Sequence, residues 1–347
     1  MISTNTIYFV SKGKAEFLPS EMSEELAPDQ VLLKTICTLI SQGTEFSLLN
    51  DSTNRAKVKY PVVLGYSAVA TVLQVGSNVT DLKAGDRCLC YHSKHCSYQK
   101  MPRHKLAKIE DDTLPSEEAV FCTVGCMGFQ GVRRCRPEIG ESFMVMGLGL
   151  LGQFAIQTAH LSGAFPVIGL DFSEKRRDLA LANGADAVFS PDDPELEDKI
   201  KAITNGRKVD AVAEITGNPQ AVVQGLQLTA PGGRFSLVGC SRTPTESIDF
   251  YNLVHRPGII ILGAHNVARP LHDRRPGLWT MQEDMSTLLR YMAAGRLKSR
   301  HLIDLLADPA DAPGIYDRVY ARDPNLLGVV FDWKNYSRIL FYESCNH

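Results

Sequence analysis

The sequence predicts an α/β protein in which a region of short strands precedes a doubly wound, parallel, six-stranded sheet. Three observations carry this. The first ~120 residues read as β-rich runs broken by turns. Beyond residue 140, apolar strands alternate with helical stretches, the pattern of a parallel sheet with crossover helices on both faces. Between the first of those strands and its helix stands Gly147-Leu148-Gly149-Leu150-Leu151-Gly152, where a phosphate-binding turn belongs.

In order, Val31–Ile36, Ala68–Val75 and Asp86–Tyr91 are β-rich runs, punctuated by Gly65, Gly76 and Gly85. Ser142–Met146 begins the alternating region as a short apolar strand, followed by a helix over Leu151–Leu161 and a second strand at Pro166–Leu170. A helix over Lys175–Ala182, a strand at Ala187–Phe189 and a helix over Glu195–Thr204 come next. Ala211–Ile215, a helix over Pro219–Leu228, Arg234–Val238 and Ile259–Leu262 complete six strands. An amphipathic helix over Met281–Ala294 and a strand at Val329–Asp332 follow, while Ser337–His347 shows no pattern that assigns it a role.

In a G-x-G-x-x-G turn the first glycine makes the bend, the second admits a pyrophosphate to the backbone, and the third lets helix and strand pack closely. Gly147, Gly149 and Gly152 take these roles, with Leu150 and Leu151 opening the helix whose free N–H groups meet the phosphate. The acidic partner expected about 20 positions on is Asp171, with 171 − 152 = 19. A carboxylate there accepts from both adenosine ribose hydroxyls and repels a 2′-phosphate, so the expected cofactor is NAD rather than NADP. Arg176, with Lys175 and Arg177 beside it, softens that repulsion. Thr216, Val238 and His265 stand at or just past the ends of the fourth, fifth and sixth strands and join the expected cofactor contacts, with loop capping the plainer reading of His265.

Composition narrows the function. A chain of 347 residues suggests two domains and builds its cores without staples. Lys plus Arg is 37 and Asp plus Glu 39, a net charge of −2, so no nucleic-acid or anionic-membrane partner is expected. The first residues lack a signal-peptide pattern and no apolar run is long enough for a membrane helix, which with an odd cysteine count makes a reduced, cytoplasmic setting the expectation. Nine cysteines and nine histidines suggest zinc until their spacing is read.

The chain resembles the medium-chain dehydrogenase/reductase superfamily, of the alcohol, sorbitol and threonine dehydrogenase type. The resemblance rests on Gln42-Gly43-Thr44-Glu45 where the family has Cys-Gly-Thr-Asp, and on Pro61 to Ser67 where it has P-x-x-x-G-H-E. Val75-Gly76, Gly85-Asp86-Arg87, the glycine turn, Gly184-Ala185-Asp186 and Pro231-Gly232-Gly233 complete it. It implies a chaperonin-10-like catalytic domain from both chain ends, 1–124 and 266–347, with a Rossmann domain at 125–265. It also implies a homodimer or homotetramer.

The departures bear on chemistry. Where zinc members of the family ligate the catalytic metal, this chain has Gln42, Tyr66 and Ser67, and 147 − 24 = 123 puts Thr123 at the later ligand position. Amide, phenol and hydroxyl are not normal zinc ligands. The structural zinc lobe needs four close cysteines after Gly85-Asp86-Arg87, and only Cys88, Cys90 and Cys96 are present, so no metal is expected.

Without a metal, a side chain must handle the hydroxyl proton. Tyr66, at the position of the family's metal-binding histidine, and His92, at a position that lines the family's substrate pocket, are the candidates, with His265 a further one and His95 a weaker one. A tyrosine filling the vacated cavity and a structural histidine are the plainer readings. Thr44 matches the family's relay hydroxyl, and Glu45 the acidic residue that orients neighbours beside the metal. With Gln42, Ser67, Lys94 and His95 in the wall, the pocket is rich in polar groups and suits a small polar substrate such as a sugar, glycoside or polyol. The expected activity is a zinc-independent, NAD-dependent interconversion of a secondary hydroxyl and a ketone. The alternatives are an NAD(P)H-dependent quinone or enoyl reductase, and a non-catalytic nucleotide-binding protein.

Overall fold

A computed structural model describes residues 1–51, 57–241 and 247–336. The expectation for Ser337–His347 lies outside the described residues. The chain divides into two compact units, one of residues 1–123 and 285–347 and the other of residues 124–284.

The first unit opens with an antiparallel hairpin, Ile2–Ser11 (β1) and Lys14–Met22 (β2), whose turn uses Gly13 at φ +74°. Gln30–Leu39 (β3), Val62–Val63 (β4), Ser67–Val75 (β5), Arg87–Tyr91 (β6), Tyr98–Pro102 (β7) and Leu106–Lys108 (β8) follow. In the second unit come Phe143–Met146 (β9), Val167–Leu170 (β10), Ala187–Phe189 (β11), Val209–Glu214 (β12), Thr229–Leu237 (β13) and Ile260–Gly263 (β14). The chain then returns to the first unit with Ile303–Ala307 (β15) and Gly328–Asp332 (β16).

In the first unit β3, β5, β6 and β8 form an antiparallel run that β16 and β15 extend past β3, and β7 also pairs with β3. The register Leu39↔Ser67↔Tyr91 brings the end of β3, the start of β5 and the end of β6 to one edge of the sheet. Among the described residues, two large apolar clusters and a small one at Ile2, Leu32 and Tyr98 fill this unit. One large cluster holds Val31, Leu33, Ala68, Ala70, Val72 and Leu106; the other surrounds Phe9, Tyr316, Phe331 and Trp333. Eight cysteines are described and all are free thiols, seven of them buried; burial pushes the Cys88 and Cys96 thiols up to about 12.

The second unit is a single parallel sheet in the order β11-β10-β9-β12-β13-β14. Alternation along its strands feeds two cores. Phe143, Val145, Ala211 and Ala213 face one layer of helices, and Met144, Met146 and Val212 the other. This is the doubly wound architecture, and the six strands lie within a residue or two of the sequence expectation except β13, which begins at Thr229, upstream of Arg234. Strands β1, β2, β4, β7, β8 and β15 were not individually legible.

The second boundary differs from the expected one. Residues 266–284 belong to the second unit because Asp284, fully enclosed, bonds both Arg133 and Arg269, while Arg269 donates to the Cys126 carbonyl at 2.7 Å. Arg133 is further held between the Phe129 and Trp279 rings at 4.2 and 4.0 Å.

Candidate active site

The glycine turn fits a dinucleotide. Gly147 sits at φ +90°, which disfavours any residue with a Cβ. A Cβ at Gly152 would lie 2.0 Å from the Gly147 carbonyl oxygen, so the helix start rests directly on the strand end. A Cβ at Gly149 meets nothing within 4 Å, so the space above the turn is open. The helix Leu150–Leu161 has no side-chain cap, leaving its first N–H groups available to an anion. Leu150 is buried and Leu151 half-buried, as anchors of the helix rather than open contacts.

Asp171 holds the turn as well as the position expected for ribose. Its Oδ2 accepts from Leu148 N–H at 2.8 Å and its Oδ1 from Ser173 N–H at 2.9 Å, which leaves each oxygen a further lone pair. The Arg176 guanidinium stands 3.8 Å from the carboxylate, and Arg177 donates to the Asp171 backbone carbonyl at 2.7 Å. Gln153, which the sequence reading missed, ties the two segments together. Its amide nitrogen donates to the carbonyls of Leu148 and Arg176 at 3.0 and 2.9 Å.

At the end of β12, Glu214 also escaped the sequence reading, although an acid closing an apolar strand is a visible signal. It is fully buried and accepts from the N–H groups of Thr216 and Gly217 at 2.7 and 3.0 Å. Burial pushes its carboxyl above the ordinary value, against those hydrogen bonds. Thr216 also donates its hydroxyl to Glu214, and its Cγ2 lies 2.8 Å from a Cβ built at Gly147, so it buttresses the turn. Val238 is buried against Gly131. His265 is exposed, and its Nδ1 accepts from Val267 N–H at 3.2 Å, which is the loop-capping arrangement.

In the first unit, the aligned strand ends bring Tyr66 and His92 together. Their ring centroids are 4.8 Å apart at 71°, and Tyr91 packs on His92 at 4.1 Å. His92 N–H donates to the Tyr66 carbonyl at 2.9 Å. His92 remains exposed as a residue despite both ring contacts. Desolvation, aided by the Lys105 ammonium, holds its pKa below the usual histidine value.

Three expected site residues have other duties. Ser67 is fully buried and donates its hydroxyl to the Val120 carbonyl at 2.6 Å, so it is not a substrate contact. His95 is also enclosed, with both ring nitrogens bonded: Nδ1 to Thr38 Oγ1 at 2.7 Å and Nε2 to the Glu45 carboxyl at 3.2 and 3.3 Å. Glu45 is enclosed too, and Ser41 N–H and the Tyr316 hydroxyl also donate to it. Thr38 Oγ1 accepts from Trp333 Nε1–H at 2.9 Å and shares a further hydrogen bond with His95 Nδ1. A carboxylate only accepts, so His95 Nε2–H donates to Glu45. Glu45 and His95 are therefore supports within the fold, corrected from a catalytic and a substrate-binding role.

Gln42 is half-buried, but its amide nitrogen is enclosed and has no hydrogen-bond partner among the described residues. Thr44 is half-buried and Lys94 exposed. Among the described residues no three His, Cys, Asp or Glu side chains group closely enough to hold a metal ion. The donor set of amide, phenol and hydroxyls does not fit zinc.

Comparison with known proteins gives the family. Residues 27–138 match the model of the alcohol dehydrogenase GroES-like domain, and residues 151–280 that of the zinc-binding dehydrogenase. The chain is 31% identical over 258 residues to L-threonine 3-dehydrogenase of Thermococcus kodakarensis, covering 65% of this chain and 72% of that one. It is 28% identical over 273 residues to D-guloside 3-dehydrogenase of Escherichia coli, covering 77% of each. In fold it is similar to the crystal structure of an Escherichia coli oxidoreductase/dehydrogenase of unknown specificity, with a TM-score of 0.83, 17% identity, and coverage of 95% and 99% of the two chains. With a GroES-like domain, a Rossmann sheet carrying an intact dinucleotide turn, and relatives that act on CH–OH groups, the chain belongs to the medium-chain dehydrogenase/reductase superfamily and is an NAD(P)-dependent oxidoreductase.

Proposed function

We propose that the protein is a zinc-independent, NAD-dependent dehydrogenase that interconverts a secondary hydroxyl and a ketone on a sugar, glycoside or polyol. The observation that carries this reading is the Tyr66–His92 ring pair, 4.8 Å apart, at the sheet edge where zinc members place metal ligands. Relatives named for guloside and threonine support a polar substrate. The open carboxylate lone pairs of Asp171 support NAD over NADP.

The Gly147–Gly152 turn and Asp171 would hold the dinucleotide, which would supply the acceptor for the hydride of the carbinol carbon. His92 takes the hydroxyl proton, its lowered pKa leaving it neutral and so able to accept at pH 7. The Tyr66 hydroxyl hydrogen-bonds the reacting oxygen and orients it. Thr44 lies in the first turn of the same helix as Gln42, Gln42–Leu49, and extends the polar wall. The quinone or enoyl reductase alternative calls for an apolar wall, which Gln42, Thr44 and Lys94 do not supply.

The test is metal analysis of protein never exposed to chelator, together with NAD and NADP reduction across a panel of sugars and polyols. The expected result is far less than one zinc per chain and turnover with NAD on a polyhydroxylated substrate. Stoichiometric zinc required for that turnover, or a clear NADP preference, overturns the respective part. No turnover on any member of the panel favours a non-catalytic nucleotide-binding protein.

We also infer a homo-oligomer through the edge of the parallel sheet. Strand β14 ends that sheet with Ile260 half-exposed, and Val267 and Leu271 beyond it are 81% and 89% exposed. Sedimentation should show a dimer or tetramer; a monomer at micromolar concentration refutes this. A cytoplasmic setting fits the free thiols and the absence, among the described residues, of a helix long and apolar enough to cross a membrane.

A further inference from the structure

Buried polar groups almost always find a partner, and those that do not mark places where something else binds. Among the described residues, five buried side-chain polar atoms lack one. Two belong to the second unit, Gln130 Oε1 and Arg176 Nε. The other three, Gln42 Nε2, Ser93 Oγ and Thr123 Oγ1, belong to the first unit.

The register brings the segments that carry these three to one end of the sheet. Leu39, Ser67 and Tyr91 are aligned across β3, β5 and β6. Gln42 starts the helix that follows β3, and Ser93 follows His92 just past β6. The Ser93 carbonyl lies 2.7 Å from a Cβ built at Gly65, beside Tyr66. Thr123 comes three residues after Val120, whose carbonyl accepts the Ser67 hydroxyl at 2.6 Å. Ser93 is 2% exposed and Thr123 0%, so neither is satisfied by open solvent.

The geometry points to a neutral cradle, made of the Gln42 amide and the Ser93 and Thr123 hydroxyls, that binds the vicinal hydroxyls of a polyol or glycoside beside Tyr66 and His92. This rests on the reading of the protein as a metal-free dehydrogenase of polyhydroxylated compounds. The chemistry of the three atoms selects that ligand. Gln42 Nε2 only donates, whereas each hydroxyl both donates and accepts. A diol offers the same mixed pattern. An anion would meet no cationic partner among the three, and an apolar alcohol would leave two of them unpaired. Gln42 and Thr123 occupy positions where zinc members hold the metal, so substrate hydroxyls are gripped there by hydrogen bonds instead of a cation.

The experiment measures equilibrium binding of sorbitol, galactitol, myo-inositol and methyl glucosides by calorimetry, without dinucleotide, to wild-type protein and to Thr123→Val, Ser93→Ala and Gln42→Leu. The tightest-binding compound should lose about 10- to 100-fold in affinity with each substitution. NAD affinity should stay unchanged, and Thr123→Ser should restore binding. Unchanged polyol affinity in all three variants overturns the cradle, as does failure of every compound to bind wild-type protein. Because no turnover is involved, this outcome is separate from that of the dehydrogenase reading, which stands or falls on NAD reduction and zinc content.

Discussion

Replacing His92 with Ala is expected to lower turnover by on the order of 10²- to 10⁴-fold while leaving the affinity for dinucleotide unchanged. The same holds for Tyr66→Phe, which removes the hydroxyl and keeps the ring that packs on His92 at 4.8 Å. The magnitude follows from the task. On the proposed metal-free reading no cation stabilises a developing alkoxide, so the proton must leave as the hydride does, and a positioned base is what lowers that barrier. The pH profile separates a base from a packing residue. The His92 pKa lies below its ordinary value of 6.5, chiefly through desolvation. Activity should therefore hold from neutrality down past pH 6.5 and fall only as the ring protonates at its lowered pKa. In His92→Ala that acid limb should vanish along with most of the rate. Stability runs in the same direction. The unfolded ring binds its proton at a higher pH than the folded ring, so acidification through the window between the two values costs stability. Wild-type rates in both variants would assign the pair to packing.

The second large effect is structural. Glu45→Ala should destabilise the first unit by about 4 kcal/mol, read as a fall of roughly 10 °C in its melting transition. The carboxylate collects Ser41 N–H, the Tyr316 hydroxyl and His95 Nε2–H, and all three stay buried when it is removed. An unsatisfied buried donor costs ~1–3 kcal/mol, and partial relaxation keeps the total below the sum of three. Burial and the neighbouring Glu45 charge raise the Tyr316 phenol well above its ordinary pKa, so it is a donor throughout the working range. Since Glu45 caps the segment that carries Gln42 and Thr44, catalysis should decline too, chiefly through a raised KM for the polar substrate. A melting transition within 2 °C of wild type would mean that water replaces the carboxylate and the network is not structural.

Much of this protein was legible in its sequence, for local reasons. Strand and helix alternation is a matter of side-chain period. The glycine turn is legible because Gly147 and Gly152 each stand where a Cβ cannot, by backbone angle or by close approach. Asp171 follows from the length of one strand–helix–strand unit. The expectation of no zinc at Gln42, Tyr66 and Ser67 is read from residue identity at the positions the resemblance assigns.

What the sequence could not decide is which polar groups face each other. Glu45, His95, Thr38, Tyr316 and Trp333 are spread over nearly the whole chain, and their network exists only because β16 pairs with β3 and the segment after β6 folds back on β1. Period and motif do not encode that register, so Glu45 and His95 read as site residues when they are enclosed supports. The same register aligns Leu39, Ser67 and Tyr91, and with them Tyr66 and His92. By itself the sequence determined the fold class and the dinucleotide turn. Only the tertiary structure decided which hydrogen-bonding groups are satisfied internally and which, like Gln42, Ser93 and Thr123, are left to bind something else, because satisfaction depends on contacts between residues far apart in the chain.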